Sequence, residues 1–411
     1  MPEHNPDLQG FTGLPGEPSH RKLSWGALVG VLLIAACLRP ALTSVGPVLP
    51  EIGTELGLGP GVLGVLGAIP LLCFAAASPL VHALTGRTGH RAAVTIALTG
   101  ITVAIGLRSL PVSGALWVGT VVVGLSIAIG NVVVSGIVKR EFAARVSLAT
   151  GLYSAVMGFA ASLASGLSEP LAAALGGWRP GLAVWAVPAV LALAAWLVLS
   201  RRTDADASGS AATAATVSPW RSRLAWQVTG FFGLQSLTFY LLVTWLPSMA
   251  ATRGLTPGQA GWLLFLFQVV GVVAGPLAAA RADRMGDQRL LCAATGVLMA
   301  LAALGVLAVP GLLWLWATLA GLASGASFSL ALALAPLRTT TPAATVRLSG
   351  MAQSFGYLIA ATGPVVAGWL AAATSWGVVV GAIAVLALVQ AGLGYLAGAR
   401  RHLEDGLPVR S

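Results

Sequence analysis

Twelve long apolar stretches dominate this 411-residue chain, near residues 25–49, 61–84, 92–110, 114–138, 147–175, 180–200, 224–250, 260–281, 290–310, 312–337, 347–373 and 376–398. We number them spans 1 to 12. A helix of about 20 apolar residues crosses the hydrocarbon of a bilayer. Inside lipid a segment must satisfy its own backbone N–H and C=O groups, so each stretch is expected to be helical. Composition agrees: hydrophobic residues make up 57% and charged residues only 9%, against about 25% charged in soluble domains. So few charges cannot cover a water-facing surface. That excludes an ordinary soluble enzyme, a disordered chain and a secreted disulfide scaffold. The expected fold class is all-α integral membrane, with the lipid bilayer as its surroundings.

The net charge of +10 does not point to nucleic acid, because the basic residues are strung out between apolar stretches rather than gathered in a block. With both termini in the cytoplasm, 19 of the 23 Lys and Arg fall in inner segments. Arg108, Arg179 and Arg253 fall in outer loops, and Arg39 lies inside a span. Cytoplasmic loops are enriched in Lys and Arg, so this asymmetry implies a multi-pass protein of the cell membrane with both termini cytoplasmic. Residues 1–23 read as a cytoplasmic tail, 24–200 as a first six-helix bundle, 201–223 as a flexible cytoplasmic linker, 224–399 as a second bundle and 400–411 as a second tail. Cys37, Cys73 and Cys292 lie in apolar runs with no C-x-x-C spacing, so neither a disulfide framework nor a metal site is expected, and no cofactor is implied.

The two bundles read as copies. A shift of 197 residues aligns 49–89 with 246–286 without a gap, at 14 identities in 41 positions. Leu49-Pro50 meets Leu246-Pro247, Pro60-Gly61 meets Pro257-Gly258, and Arg87 and Gly89 meet Arg284 and Gly286. Trp117 and Gly124 keep the same offset with Trp314 and Gly321. Two parallel six-helix repeats resemble the plan of the major facilitator transporters. In such folds the substrate site lies near the bilayer midplane between the halves, which rock to expose it on either side. Asp283-Arg284-Met285-Gly286, after span 8, is similar to the D-R-x-G signature of that superfamily, whereas its counterpart Gly86-Arg87-Thr88-Gly89 lacks the acid. Arg87, Asp283 and Arg284 are therefore candidates for a cytoplasmic gate.

Arg39 constrains function most. It sits about fifteen residues into span 1, and at 1.5 Å per residue that is close to mid-bilayer. A charge there costs about 3 kcal/mol or more, so it should face a polar cavity or a partner. Of the 13 acidic residues only Glu169 lies well within a span, towards its outer end. A planar guanidinium without a carboxylate is a natural anchor for an anionic or strongly polar solute. The segment from Leu38 to Pro50 carries prolines at 40, 47 and 50, which interrupt a helical hydrogen-bond ladder.

The stretch Leu38-Arg39-Pro40-Ala41-Leu42-Thr43-Ser44-Val45-Gly46-Pro47 resembles the first-span signature of the cyanate/2-nitroimidazole permease family. Val138-Lys139-Arg140-Glu141-Phe142, Gly151-Leu152-Tyr153-Ser154, Gly233-Leu234-Gln235-Ser236, Trp245-Leu246-Pro247 and Gly363-Pro364 extend the resemblance over about residues 25–398. It implies movement of a cyanate-like anion or a nitroimidazole-like compound.

Other polar and aromatic residues of the spans can be placed beside Arg39. Thr43 is one helical turn on. Asn131 lies in span 4, Tyr153 in span 5, Gln235, Phe239 and Tyr240 in span 7, and Gln353 and Tyr357 in span 11. Amides, phenols and one guanidinium from both halves could surround a small planar solute, and ring faces suit a heteroaromatic one. The expected function is secondary active transport of such a solute by alternating access, by a monomer that is not an enzyme. A proton is a candidate co-substrate with Glu169 as its candidate site, since carriers of protons usually place ionisable groups in the membrane. The alternative is a broad drug/proton antiporter. That reading predicts buried acids, and a Gly-Pro element in span 5, where this chain has Glu169-Pro170.

Overall fold

The computed structural model describes residues 25–112, 114–142, 146–199 and 218–406; for 25–27, 77–87, 90, 135, 139–140, 146–147 and 199 it describes the backbone alone. Both tails beyond these bounds and most of the linker, 200–217, lie outside the described residues. Among those described there is no strand. Eleven helices are long and apolar enough to cross a membrane, and a shorter apolar helical stretch, Pro60–Ala76, belongs to span 2.

Several spans differ in detail from their expected form. Span 1 extends past residue 49 and is three pieces, Trp25–Cys37, Pro40–Thr43 and Val45–Leu56. The first break falls at Leu38-Arg39, directly before Pro40, whose ring and missing N–H cannot continue a helix. Pro47 and Pro50 do not break the chain: Pro47 stands in the first turn of Val45–Leu56, where an N–H would have no intrahelical partner anyway. Spans 2 and 3, within Pro60–Arg108, are two helices that part at Gly89, where φ is 75° and ψ 167°. Only glycine adopts that backbone at no steric cost. Span 6 is split into Trp178–Ala183 and Ala186–Leu199. Span 7, Arg223–Ala251, is a single uninterrupted helix.

Helix starts carry their expected signals. Span 8, Pro257–Asp283, opens on a capping box in which Thr256 Oγ1 accepts from the Gln259 amide and Gln259 Oε1 accepts from the Thr256 amide. Gly59-Pro60-Gly61, which fits a nucleotide-loop pattern as bare letters, instead begins a helix with Pro60 at its first position.

The halves meet mainly through spans 1 with 7, 2 with 11 (Pro342–Ala373), and 5 (Val146–Leu175) with 8, with smaller contacts of 1 with 8 and 2 with 7. On the face away from the chain termini this seam includes close backbone approaches, beside side-chain contacts such as Gly61 with Trp369. A Cβ on Gly46 would collide with the Val243 carbonyl, and one on Gly64 with the Pro364 carbonyl. Close approach of this kind gives helix association in lipid, where no hydrophobic gain separates a helix from its surroundings.

Candidate functional site

Arg39 occupies the break in span 1. Its carbonyl accepts from the amides of Leu42 and Thr43, at 2.9 and 3.1 Å, so it begins the short second piece of the span. Its guanidinium crosses to the other half, where Nη1 donates to the Tyr240 hydroxyl at 2.8 Å. Arg39 is half-buried, and no carboxylate among the described residues pairs with it. The phenols of Tyr357 and Tyr153 also lie within its electrostatic reach. A cation held by a neutral hydroxyl keeps its full charge for a ligand, whereas a carboxylate would cancel it.

Rings wall this centre. Tyr240 packs edge-on against Phe239 at 5.0 Å and against Tyr357 at 6.5 Å between centroids. Tyr357 in turn meets Phe74 of span 2 at 5.5 Å and Phe232 at 5.4 Å. Phe239 stacks on Phe267 of span 8 at 6.0 Å. Edge-to-face pairs of this type are the favoured geometry of aromatic side chains. The resulting wall is continuous from the first half into the second.

The remaining expected site residues fall into groups. Tyr153, Phe239 and Tyr357 are partly buried and pack against the core around Arg39. Gln235 is buried, its Nε2 donates to Ser236 Oγ at 2.7 Å, and its Oε1 has no partner. Asn131 and Gln353 are half-buried on spans 4 and 11. Thr43 is buried, and its hydroxyl donates to the Ala161 carbonyl of span 5 at 2.8 Å. Sharing a helical turn with Arg39 therefore does not give it Arg39's partner, because its short side chain ends against span 5 while the guanidinium reaches span 7. Glu169 is half-buried near Gly258 at the start of span 8, with Glu51 as its charged neighbour, rather than beside Arg39. Asp283 and Arg284 are exposed at the end of span 8 and form no ion pair among the described residues. The side chain of Arg87 lies outside the described residues.

Two features escaped sequence reasoning. Arg108 reads as an outer-loop cation, yet it is 3% exposed and its Nη1 donates to the Ala41 carbonyl at 2.6 Å, two residues from Arg39. Its position at the very end of span 3 hid this, since only packing shows that it reaches inward. The second is a polar link between halves: Gln268 of span 8 donates to Ser165 of span 5 at 2.5 Å, and Ser165 donates to the Thr43 carbonyl at 3.1 Å. A lone glutamine inside an apolar run was its available signal.

The profile of the Major Facilitator Superfamily matches residues 31–256 and 231–408. The chain belongs to the major facilitator superfamily. It is 37% identical over 377 residues to the 2-nitroimidazole transporter of Escherichia coli (strain K12), covering 92% of this chain and 96% of the relative. It is 32% identical over 339 residues to the cyanate transport protein CynX of the same organism, covering 82% and 88%. These matches bear out the resemblance carried by the span 1 signature. The crystal structure of a bacterial homologue of the human lysosomal transporter Spinster superposes with a TM-score of 0.77 at 15% identity, covering 90% of this chain and 96% of that one. The superfamily fold is thus present, in a transporter with membrane-spanning helices and not in an enzyme family.

Proposed function

We propose that this transporter moves a small anionic or polar planar solute, cyanate-like or nitroimidazole-like, by alternating access, with Arg39 as its anchor. The observation that supports this most directly is a half-buried guanidinium at the junction of the halves, held by the Tyr240 hydroxyl and by no carboxylate. Tyr240, Tyr357, Phe239 and Tyr153 supply ring faces and hydroxyls, and Asn131, Gln235 and Gln353 supply amides from three other positions. Thr43 sets the wall by fixing span 1 to span 5. The names of two relatives, a 2-nitroimidazole transporter and a cyanate transport protein, support this solute class. An acid-free centre counts against the drug/proton antiporter reading, which needs a buried carboxylate there.

The charge distribution supports a cell-membrane protein with cytoplasmic termini and a cytoplasmic gate at Arg87, Asp283 and Arg284. We take the working unit as a monomer. The test is flux into proteoliposomes. Arg39→Ala and Arg39→Lys both abolish it while leaving insertion intact, because Lys carries the charge without the planar fork. Normal uptake by both variants would remove the anchor. Glu169 is the proton-coupling candidate: Glu169→Gln makes flux insensitive to an imposed pH gradient, and an unchanged response assigns coupling elsewhere or to uniport.

A further inference from the structure

A fully buried guanidinium bonds to span 1 two residues along from the half-buried Arg39. Arg108 is 3% exposed, and among the described residues hydrogen bonding accounts for one of its nitrogens: Nη1 donates to Ala41 O, while Nε has no acceptor there. No carboxylate pairs with it among the described residues. A buried, unpaired cation with open donors is costly unless something accepts from it.

The space it borders supplies a place for that acceptor. Arg108 lines a cavity of about 40 Å³ together with Thr120 of span 4 and Tyr240 and Thr244 of span 7. The remaining lining is apolar, with no acid in it. The cavity lies between the halves, on the side of Arg39 away from the chain termini: its span 1 wall runs from Ala41 to Leu49. Tyr240 belongs to both places, as the acceptor for Arg39 and as a wall of this cavity. Since each water needs about 10–15 Å³ on this measure, the cavity holds roughly three atoms of water size. A substituted ring is too large for it, whereas a diatomic or triatomic anion fits.

We infer that the cavity at Arg108 is a second anion subsite, which takes a small monovalent anion between the non-terminal face and Arg39. The anion would replace the missing acceptor of the Arg108 guanidinium, and the Tyr240 hydroxyl would lie between the two cationic stations. This inference rests on the anion branch of the proposed function, but it concerns a different residue and can fail separately.

Sodium cyanate is the probe. Full-length protein is titrated at constant ionic strength against sodium gluconate, and ligand-induced stabilisation is followed by thermal unfolding. In Arg39→Gln a saturable cyanate response persists, and adding Arg108→Gln removes it. Should Arg108→Gln fail to fold for want of the Ala41 bond, Arg108→Lys serves. Lysine still reaches a carbonyl but lacks the fork, so unliganded stability holds while cyanate affinity falls about tenfold. An unchanged cyanate titration in Arg108→Lys would overturn the subsite and leave Arg108 as a brace for span 1. A wild-type protein that ignores cyanate yet loses transport of another solute on Arg39→Ala would also overturn it, without touching the Arg39 anchor. Normal flux in Arg39→Ala with a cyanate response abolished by Arg108→Gln would support the subsite and sink the anchor instead.

Discussion

Span 1 and span 7 occupy equivalent places in the two halves, and they do opposite things. At the repeat offset of 197 residues, Arg39 corresponds to Ser236 and Thr43 to Tyr240. Span 1 is broken at that level and presents a half-exposed cation; span 7 is one helix whose buried Ser236 accepts from Gln235. The partner that span 7 sends across the interface comes one turn later, as the Tyr240 phenol. Duplication therefore supplied two equivalent scaffolds, and local backbone chemistry separated their roles. A proline directly after Arg39 breaks the helix, and the short piece Pro40–Thr43 that follows ends at Ser44 with carbonyls left outside the helical ladder. One of these, Ala41 O, is the acceptor for Arg108. The second half has a corresponding device in a different place: Arg253, ending span 7, donates from Nη1 to the Val306 carbonyl of span 9 at 2.7 Å. The cation that braces a neighbouring span lies on span 3 in one half and on span 7 in the other.

That comparison can be broken experimentally. The largest effect is expected where the two spans touch. Gly46→Leu places a side chain against the Val243 carbonyl, and overpacking of about 1–3 kcal/mol should hold the seam apart and lower vesicle flux about 100-fold. Expression and insertion should stay near wild type; full flux would mean that the seam never closes in the cycle. An intermediate effect belongs to Tyr240→Phe, which keeps the ring and removes the acceptor for Arg39. Loss of a charge-assisted hydrogen bond, about 1.5–3 kcal/mol, should raise KM at least about tenfold with little change in thermal stability. An unaltered KM would show that Arg39 holds its position without the second half. The smallest effect is expected at Thr43→Val, the repeat counterpart of that tyrosine. Its hydroxyl ties span 1 to span 5, so about 0.6 kcal/mol of stability should go while flux persists. A flux loss as large as that of Tyr240→Phe would instead put solute against Thr43.

Most of the architecture could be read from the letters. The span positions follow from the absence of water in the bilayer core, and the duplication from Gly, Pro and Arg at a fixed offset. The break at Arg39 was legible because proline chemistry is local. What escaped was set by packing between distant segments. Thr43 and Arg39 belong to one helical turn, yet the short hydroxyl reaches span 5 while the long guanidinium extends to span 7. Arg108 looked like a loop residue, because a long side chain can reach inward from a helix end and nothing local records its direction. Glu169 lies within span 5 towards its outer end, and only the packing of spans 5 and 8 sets its side chain near Gly258.

The glycine contacts where the halves meet have a kinetic consequence. Surfaces that touch through carbonyl oxygens and bare α-carbons have few rotamers to freeze when they close and few to release when they part. Such a joint behaves more like a smooth bearing than a zip, and the barrier to swinging the bundles is then set by what the central cations grip at that moment.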